Sequence, residues 1–112
     1  MERVTRKTIL SDAEKCVCSD REKEYGTPED SFSSIAALWT DYLNATGAIL
    51  YDENGNELEL DAHDVGLMMA LLKISRIATG HHKADNYIDL AGYAACAGEI
   101  ACREVANEQP PI

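Results

Sequence analysis

The sequence predicts an all-α domain with a four-helix bundle-like fold and a small β-hairpin inserted between the second and third helices. Three observations support this fold class. Apolar residues recur at three- and four-residue steps, helix-capping residues precede these runs, and one Asn-Gly turn separates two short apolar runs. Because 112 residues is the length of one ordinary domain, we expect a single domain over residues 1–112.

Capping residues predict the first two helices. Ser11, with Glu14 three residues later, has capping-box spacing, so the first helix is expected to run from there to about residue 24, with Gly26 as its stop. Thr27 is the expected N-cap of the second helix, and Pro28 suits its first position. The apolar positions of the second helix share one expected buried face: Phe32, Ile35, Ala36, Trp39, Tyr42 and Leu43.

The hairpin and the last two helices follow. Residues 49–51 and 57–60 flank the Asn-Gly turn, which predicts a hairpin insert over about 48–60. Asp61 is the expected cap of a third helix that is apolar on every side over residues 65–72 and ends at Gly80, so we expect it to be central. The fourth helix, from near Asp85 to about Ala106, is rich in small residues and precedes a tail over about 107–112. The third and fourth helices present more apolar surface than four short helices can bury, which predicts a homo-oligomer.

The charge balance disfavours several function classes. Twenty Asp and Glu residues oppose ten Lys and Arg residues, a net charge of −10 that repels phosphates. We therefore expect no direct nucleic-acid binding and no membrane partner. No run reaches the roughly 18 apolar residues of a membrane span, and the first ten residues lack an apolar signal segment. These features predict a cytoplasmic protein.

The four cysteines are predicted to be reduced structural thiols. Cys16 and Cys18 are separated by one residue, whereas a zinc knuckle needs two. Cys96 and Cys102 lie in an Ala-rich segment and are interpreted as small apolar packing residues.

Opposite charges are segregated along the chain. Residues 24–72 contain ten acidic residues and no Lys or Arg, whereas residues 73–83 contain three Lys or Arg residues and no acid. This combination is typical of a metal–polyphosphate site, because carboxylates hold Mg²⁺ and cations bind phosphates. The acids on either side of the basic segment fall three or four residues apart, so each pair shares a helix face. These predicted metal ligands are Asp61, Asp64, Asp85 and Asp89.

An antiparallel pairing of the third and fourth helices brings basic residues close to the second acidic pair. Lys73 and Arg76 then neutralise phosphate charge beside Asp89, and these three residues form the predicted catalytic group. The predicted substrate-binding residues share this region: Lys73, Arg76, Lys83, Asn86 and Tyr93. A purely structural interpretation also stays open, in which the acids cap helices and pair with neighbouring bases.

Three motifs cover most of residues 20–98 apart from the hairpin. They are Glu24-Tyr25-Gly26 with Phe32 and Leu38-Trp39, the run from Met68 to Arg76, and the stretch from Asp85-Asn86-Tyr87 to Tyr93-Ala94. Together they resemble a small family of phage and prophage proteins. That family more distantly resembles the MazG-type all-α nucleoside triphosphate pyrophosphatases, which hold Mg²⁺ with acids in an E-x-x-E … E-x-x-D arrangement.

The resemblance implies a function and a setting. It implies that (deoxy)nucleoside triphosphates are cleaved to monophosphates and pyrophosphate, with Mg²⁺ or Mn²⁺ as cofactor. It also implies a homodimer or homotetramer and a phage- or prophage-encoded protein in a bacterial host cell.

Two alternative functions stay open, one from departures from the MazG acidic pattern and one from the net charge. Asp61 and Asp64 are shorter than the glutamates of the MazG pattern, and Asp85 and Asp89 lie one residue further apart than its second pair. These departures favour a non-catalytic nucleotide-binding protein of the same fold. The net charge of −10 is also typical of an acidic prophage inhibitor that binds a basic host protein.

Overall fold

A computed structural model describes residues 3–20 and 26–105 of the chain. Within these ranges the chain forms four α-helices, one π-helical turn and one two-stranded antiparallel sheet, which confirms the predicted helical fold with a hairpin insert. The elements are α1 (Arg6–Lys15), the π-helical turn (Cys16–Asp20), α2 (Pro28–Ala45), β1 (Leu50–Tyr51), β2 (Glu57–Leu58), α3 (Ala62–Ala78) and α4 (Ala84–Val105). The predicted end of the first helix near residue 24 and the predicted tail lie outside the described residues.

The start of α1 differs from the prediction. The N-cap is Thr5, whose backbone N–H donates to Thr8 Oγ1 at 2.8 Å, while the Thr8 N–H donates to Thr5 Oγ1 at 3.2 Å. This reciprocal pair satisfies two of the donors that a helix start leaves open. Ser11, the predicted start, therefore lies inside α1.

The starts of α2 and α3 agree with their predicted caps. Thr27 Oγ1 accepts a 3.3 Å hydrogen bond from the Asp30 N–H, and Pro28 opens α2. Asp61 is the N-cap of α3, and Asp64 Oδ2 accepts from the Asp61 N–H at 2.9 Å. The chain leaves α3 at Gly80, whose φ of +99° is a conformation that glycine adopts at low cost.

The hairpin is short and ordered by its loop. Leu50 pairs with Leu58 and Tyr51 with Glu57. The Asp52 carboxylate stabilises the loop, because its Oδ1 accepts from the backbone N–H groups of Asn54 at 2.8 Å and Asn56 at 2.9 Å. An aspartate that accepts from the backbone two residues ahead forms an Asx turn, so side-chain chemistry holds a hairpin that two strands alone would barely stabilise.

Helices α3 and α4 form the central antiparallel pair, as predicted, with α2 packed on α3 and α1 packed on α4. The two central helices approach closely at Gly66, where an added Cβ would lie 2.9 Å from Cβ of Ala97 and 3.2 Å from the carbonyl oxygen of Tyr93. The buried core beside this contact consists of Phe32, Ala36, Val65, Cys96 and Ile100.

Although α3 is apolar on every side over residues 65–72, it is not buried on every side. Val65 and Ala70 are buried and Met69 is half-buried, but large apolar residues on the outer side of α3 are exposed by 42–61%. They are Leu67, Met68, Leu71, Leu72 and Ile74. The four short helices of the described ranges are too few to surround the central pair.

Two further predicted packing positions are corrected. Tyr42, assigned to the inner face of α2, is 69% exposed. Cys102 is also exposed, whereas Cys96 is buried as predicted. All four cysteines lie in the described ranges, and no disulfide joins any two of them.

Candidate functional site

An ion pair between the two central helices lies at the centre of the candidate site. The Lys73 ammonium nitrogen is 2.9 Å from Asp89 Oδ2, and the two side chains are 11% and 23% exposed. The expected proximity of these residues is therefore present. Because a charged lysine is rarely buried unless it is paired, Asp89 accounts for the position of Lys73.

A cavity of about 540 Å³ opens beside this ion pair. The α2 residues Phe32 and Ile35, the α3 residue Met69 and the α4 residue Tyr93 supply much of its apolar lining, and Asp89 supplies a carboxylate. This size and this mixture of an apolar wall with few polar groups are usual for small-molecule sites. The cavity can therefore accept a planar, largely apolar group that presents a hydrogen-bond donor to Asp89.

Further charged residues follow the ion pair toward the ends of α3 and α4 that the connecting loop joins. Met69, Lys73 and Arg76 follow one another at four- and three-residue steps along one face of α3. Asp85 and Asp89 lie four residues apart on α4, so Asp85 is one turn closer to the helix start. Both Arg76 and Asp85 are exposed. An exposed basic residue and an exposed acidic residue thus lie on the loop side of the ion pair.

The loop between α3 and α4 contains the remaining polar candidates. Lys83 is exposed in this loop. Asn86 is only 8% exposed, and its Nδ2 donates to the backbone oxygen of His81 at 2.8 Å. The Asn86 amide thus holds the loop, which gives a structural reason for a residue predicted to bind substrate. His82 Nδ1 lies 2.9 Å from the hydroxyl of Tyr87, and their rings stack.

Tyr93, the remaining predicted substrate-binding residue, lines the cavity beside the ion pair. Its ring centroid is 6.2 Å from that of Phe32, and both side chains line the cavity. Tyr93 is half-buried, so part of the aromatic ring is available to a ligand inside the cavity.

The second group of predicted metal ligands lies at the start of α3. Ligand atoms of Asp61, His63 and Asp64 all lie within 4.8 Å of one another, and His63 Nε2 is 3.3 Å from Asp64 Oδ1. Of the buried side-chain polar atoms in the described ranges, His63 Nδ1 is the one that lacks a hydrogen-bond partner. Asp61 also borders a cavity of about 220 Å³, to which Asp41 and Glu59 contribute further carboxylates.

The structure does not bring the two predicted acidic pairs together within one chain. Asp64 precedes Lys73 by nine residues on α3, which at 1.5 Å per residue is about 14 Å along the helix. Asp89 lies at the level of Lys73, and Asp85 is one turn further from Asp64. One chain therefore presents two separate sets of acids.

Some of the residues in these sites were not identified from the sequence. His63 interrupts the acidic pair at the start of α3, and the pattern Asp-x-His-Asp contains the signal that could have identified it. The residues that line the larger cavity could not be grouped from the sequence. Val17, Ile35 and Ile88 come from three elements that meet only in the folded chain, so no local pattern marks them as a group.

Comparisons with known proteins give a family and phage relatives. Residues 8–101 match the family described as a domain of unknown function (DUF6378), and the chain belongs to this family. It is 35% identical over 102 residues to the Gene 55 protein of Mycobacterium phage D29, covering 90% of this chain and 58% of the relative. It is 32% identical over 87 residues to the Gene 55 protein of Mycobacterium phage L5, covering 78% of this chain and 48% of the relative. The chain thus spans about half the length of these relatives.

Two further observations are negative. No solved structure matches the chain. Among the described residues, no helix is both long enough and apolar enough to cross a membrane.

Proposed function

We propose, starting from membership of the DUF6378 family, that the chain is a Mg²⁺-dependent nucleoside triphosphate pyrophosphohydrolase acting on (deoxy)nucleotides in phage or prophage nucleotide metabolism. The observation that carries the proposal is the 540 Å³ apolar cavity that adjoins the Lys73–Asp89 ion pair. This cavity offers an apolar enclosure for a nucleobase, next to charged groups that can bind phosphate and metal. The reaction adds water across the α–β phosphate bridge and yields a monophosphate and pyrophosphate.

The nucleobase would occupy the cavity. Tyr93 and Phe32 supply aromatic surface there, and stacking on a base is favourable for any base. A carboxylate has two oxygens, so Asp89 can hold Lys73 with one and offer the other to the site. The triphosphate would extend along α3 toward the exposed Arg76 and Lys83.

The donor chemistry of the described acids fits a divalent cation. Asp85 and Asp89 offer the oxygen ligands that Mg²⁺ prefers. The Asp61, His63 and Asp64 group adds an imidazole, which suits Mn²⁺ and other transition metals better. When bound, such a cation would activate a water molecule and neutralise phosphate charge, while Lys73 and Arg76 supply positive charge from the chain.

A second candidate function is nucleotide binding without hydrolysis. The two acidic pairs lie about 14 Å apart along α3, and this separation favours the candidate because a single chain then lacks a joint two-metal site. The binding cavity would remain the same.

The proposal includes a fold relationship and a setting. We place the helical arrangement with the MazG-type pyrophosphatases, supported by the central α3–α4 pair and the acids at the helix starts. The relatives are phage proteins, which supports a phage or prophage protein in the cytoplasm of a bacterial host. The exposed apolar side of α3 supports a homodimer or homotetramer.

Pyrophosphate release tests the proposal. The chain is incubated with ribo- and deoxyribonucleoside triphosphates and with Mg²⁺ or Mn²⁺, beside the variants Arg76→Ala and Asp89→Asn. We expect turnover that requires metal, with a loss of tenfold or more in both variants. Lys7→Ala, which removes an exposed base from α1, is the matched control and should keep full turnover.

Calorimetry separates the two candidate functions. Binding of a nucleotide by the wild-type chain without turnover would favour the non-catalytic candidate. Neither turnover nor binding across the panel would reject both.

A further inference from the structure

The outer side of α3 has the spacing of a helix-pairing seam. Successive outer positions are separated alternately by three and four residues, as in the a and d positions of a heptad. Met68 and Leu71 occupy the middle of this seam and are 42% and 61% exposed. We call the following set the α3 seam: Asp61, Asp64, Met68, Leu71, Ser75 and Ala78.

Further apolar residues widen the seam on both sides. Leu67, Leu72 and Ile74 are 50%, 42% and 46% exposed. Together with Met68 and Leu71 they form a continuous apolar surface. Proteins that act as monomers seldom leave more than a few hundred Å² of contiguous apolar surface in contact with water.

The charges at the two ends of the α3 seam differ in sign. Asp61 and Asp64 lie at its start, whereas Arg76 lies beside its end. A parallel pairing with a second copy would place each carboxylate against its own copy, which is repulsive. An antiparallel pairing places the acidic end of one copy against the basic end of the other, which is attractive.

From this we propose that the α3 seam binds a second copy of this chain in an antiparallel, two-fold symmetric dimer. The symmetry point falls midway between Met68 and Leu71, so each of these residues faces the other in the second copy. The same register sets Asp64 opposite Ser75 of the second copy. Arg76, which follows Ser75, is then within reach of Asp64 and Asp61 of the second copy.

In the antiparallel pair, the Asp61, His63 and Asp64 group of the second copy approaches the Arg76 end of the first. This inference rests on the homo-oligomer of the proposed function and not on hydrolysis.

Sedimentation velocity tests the seam without any substrate. We expect the wild-type chain to sediment as a dimer or a multiple of it. Leu71→Asp, which places two carboxylates near the symmetry point, should raise the dimer dissociation constant at least tenfold. Leu38→Asp is the matched control, because Leu38 is 67% exposed on α2 outside the seam. Leu71 is 61% exposed, so its variant should keep the wild-type circular dichroism spectrum.

Charge reversal tests the antiparallel register. Arg76→Glu should weaken the dimer, whereas Lys7→Glu, an equal change of charge on α1, should not. Adding Asp64→Asn to Arg76→Glu should recover part of the lost affinity, because asparagine removes the repulsion and keeps a capping oxygen. A monomeric wild-type chain, or equal effects of Leu71→Asp and Leu38→Asp, would overturn the seam. Equal effects of Arg76→Glu and Lys7→Glu would overturn the antiparallel pairing.

Discussion

The hydroxyl oxygen of Thr40 accepts a 2.9 Å hydrogen bond from the backbone N–H of Leu60, which ties the middle of α2 to the residue before the α3 cap. Thr40 is 5% exposed, and buried hydroxyl groups are normally hydrogen-bonded. This contact positions Asp61 and hence the acidic start of α3.

Replacing Thr40 by Val should destabilise the chain by about 1 to 2 kcal/mol, because an isosteric side chain leaves the Leu60 N–H without its acceptor. Thr40→Ser keeps the hydroxyl and should cost less. Urea unfolding followed by circular dichroism measures both variants. Equal losses would mean that packing and not the hydrogen bond accounts for Thr40.

Removing one partner of the Lys73–Asp89 ion pair should destabilise the chain, whereas replacing both partners by apolar residues should cost much less. Lys73→Met alone leaves the Asp89 carboxylate without its cation and should cost about 2 to 3 kcal/mol, less than for a fully buried pair because Asp89 is 23% exposed. The double variant Lys73→Met, Asp89→Leu should recover most of this loss, since apolar residues of similar size can replace such pairs.

Thermal unfolding of the single and double variants, together with Asp89→Leu, gives the interaction energy. If the double variant is as unstable as the sum of the singles, the pair contributes no coupling. Nucleotide binding measured on the stable double variant then separates the structural role of the ion pair from its proposed role in the site.

Gly66 should not tolerate a side chain. A Cβ there would lie 2.9 Å from Cβ of Ala97 and 3.2 Å from a backbone oxygen, so α3 and α4 must separate. We expect Gly66→Ala to cost about 1 to 3 kcal/mol. At Gly98, also helical, nothing lies within 4 Å of an added Cβ, so Gly98→Ala should instead stabilise by about 0.5 to 1 kcal/mol. Guanidinium unfolding of both variants checks the opposite signs, and a Gly66→Ala variant as stable as the wild-type chain would contradict the close helix approach.

The hairpin loop should respond to pH through Asp52. Hydrogen bonds from the backbone of Asn56, and then of Asn54, lower the pKa of Asp52 below its usual range. Because the folded pKa is depressed, the contribution of the carboxylate to loop stability is present above the unfolded pKa and is lost as pH falls through the folded pKa. The protection factors of the Asn54 and Asn56 amides, in which the intrinsic pH dependence of hydrogen exchange is divided out, should therefore fall in acid.

Asp52→Asn is the control for this titration. Asparagine keeps an oxygen acceptor but carries no charge, so exchange at the two amides should lose its dependence on protonation of residue 52. Equal protection factors in the wild-type loop on both sides of the Asp52 titration would contradict the assignment.

Local chemistry accounts for the features that the sequence predicted well. Thr27 and Pro28 at the start of α2, and Asp61 and Asp64 at the start of α3, act through hydrogen bonds within four residues. Such interactions are readable without knowledge of the fold. The start of α1 was missed because Thr5 with Thr8 and Ser11 with Glu14 offer caps of the same spacing, and the earlier cap closes in the structure.

The sequence predicted the burial of individual side chains less well than it predicted the helix caps. The apolar run of α3 is compatible with full burial, but which face is covered depends on how many helices surround it. In this chain α2 and α4 pack against α3, and Leu71 stays 61% exposed. Cys102 likewise shares its Ala-rich surroundings with the buried Cys96 yet is exposed.

Periodicity, capping and an antiparallel helix connection predicted the order of the helices, the starts of α2, α3 and α4, the hairpin insert and the proximity of Lys73 to Asp89. The cavity, the separation of about 14 Å between the acidic pairs along α3 and the exposed outer face of that helix were not predictable from the sequence. These depend on contacts between residues far apart in the chain. Side-chain packing between helices sets such contacts, and no local pattern encodes it.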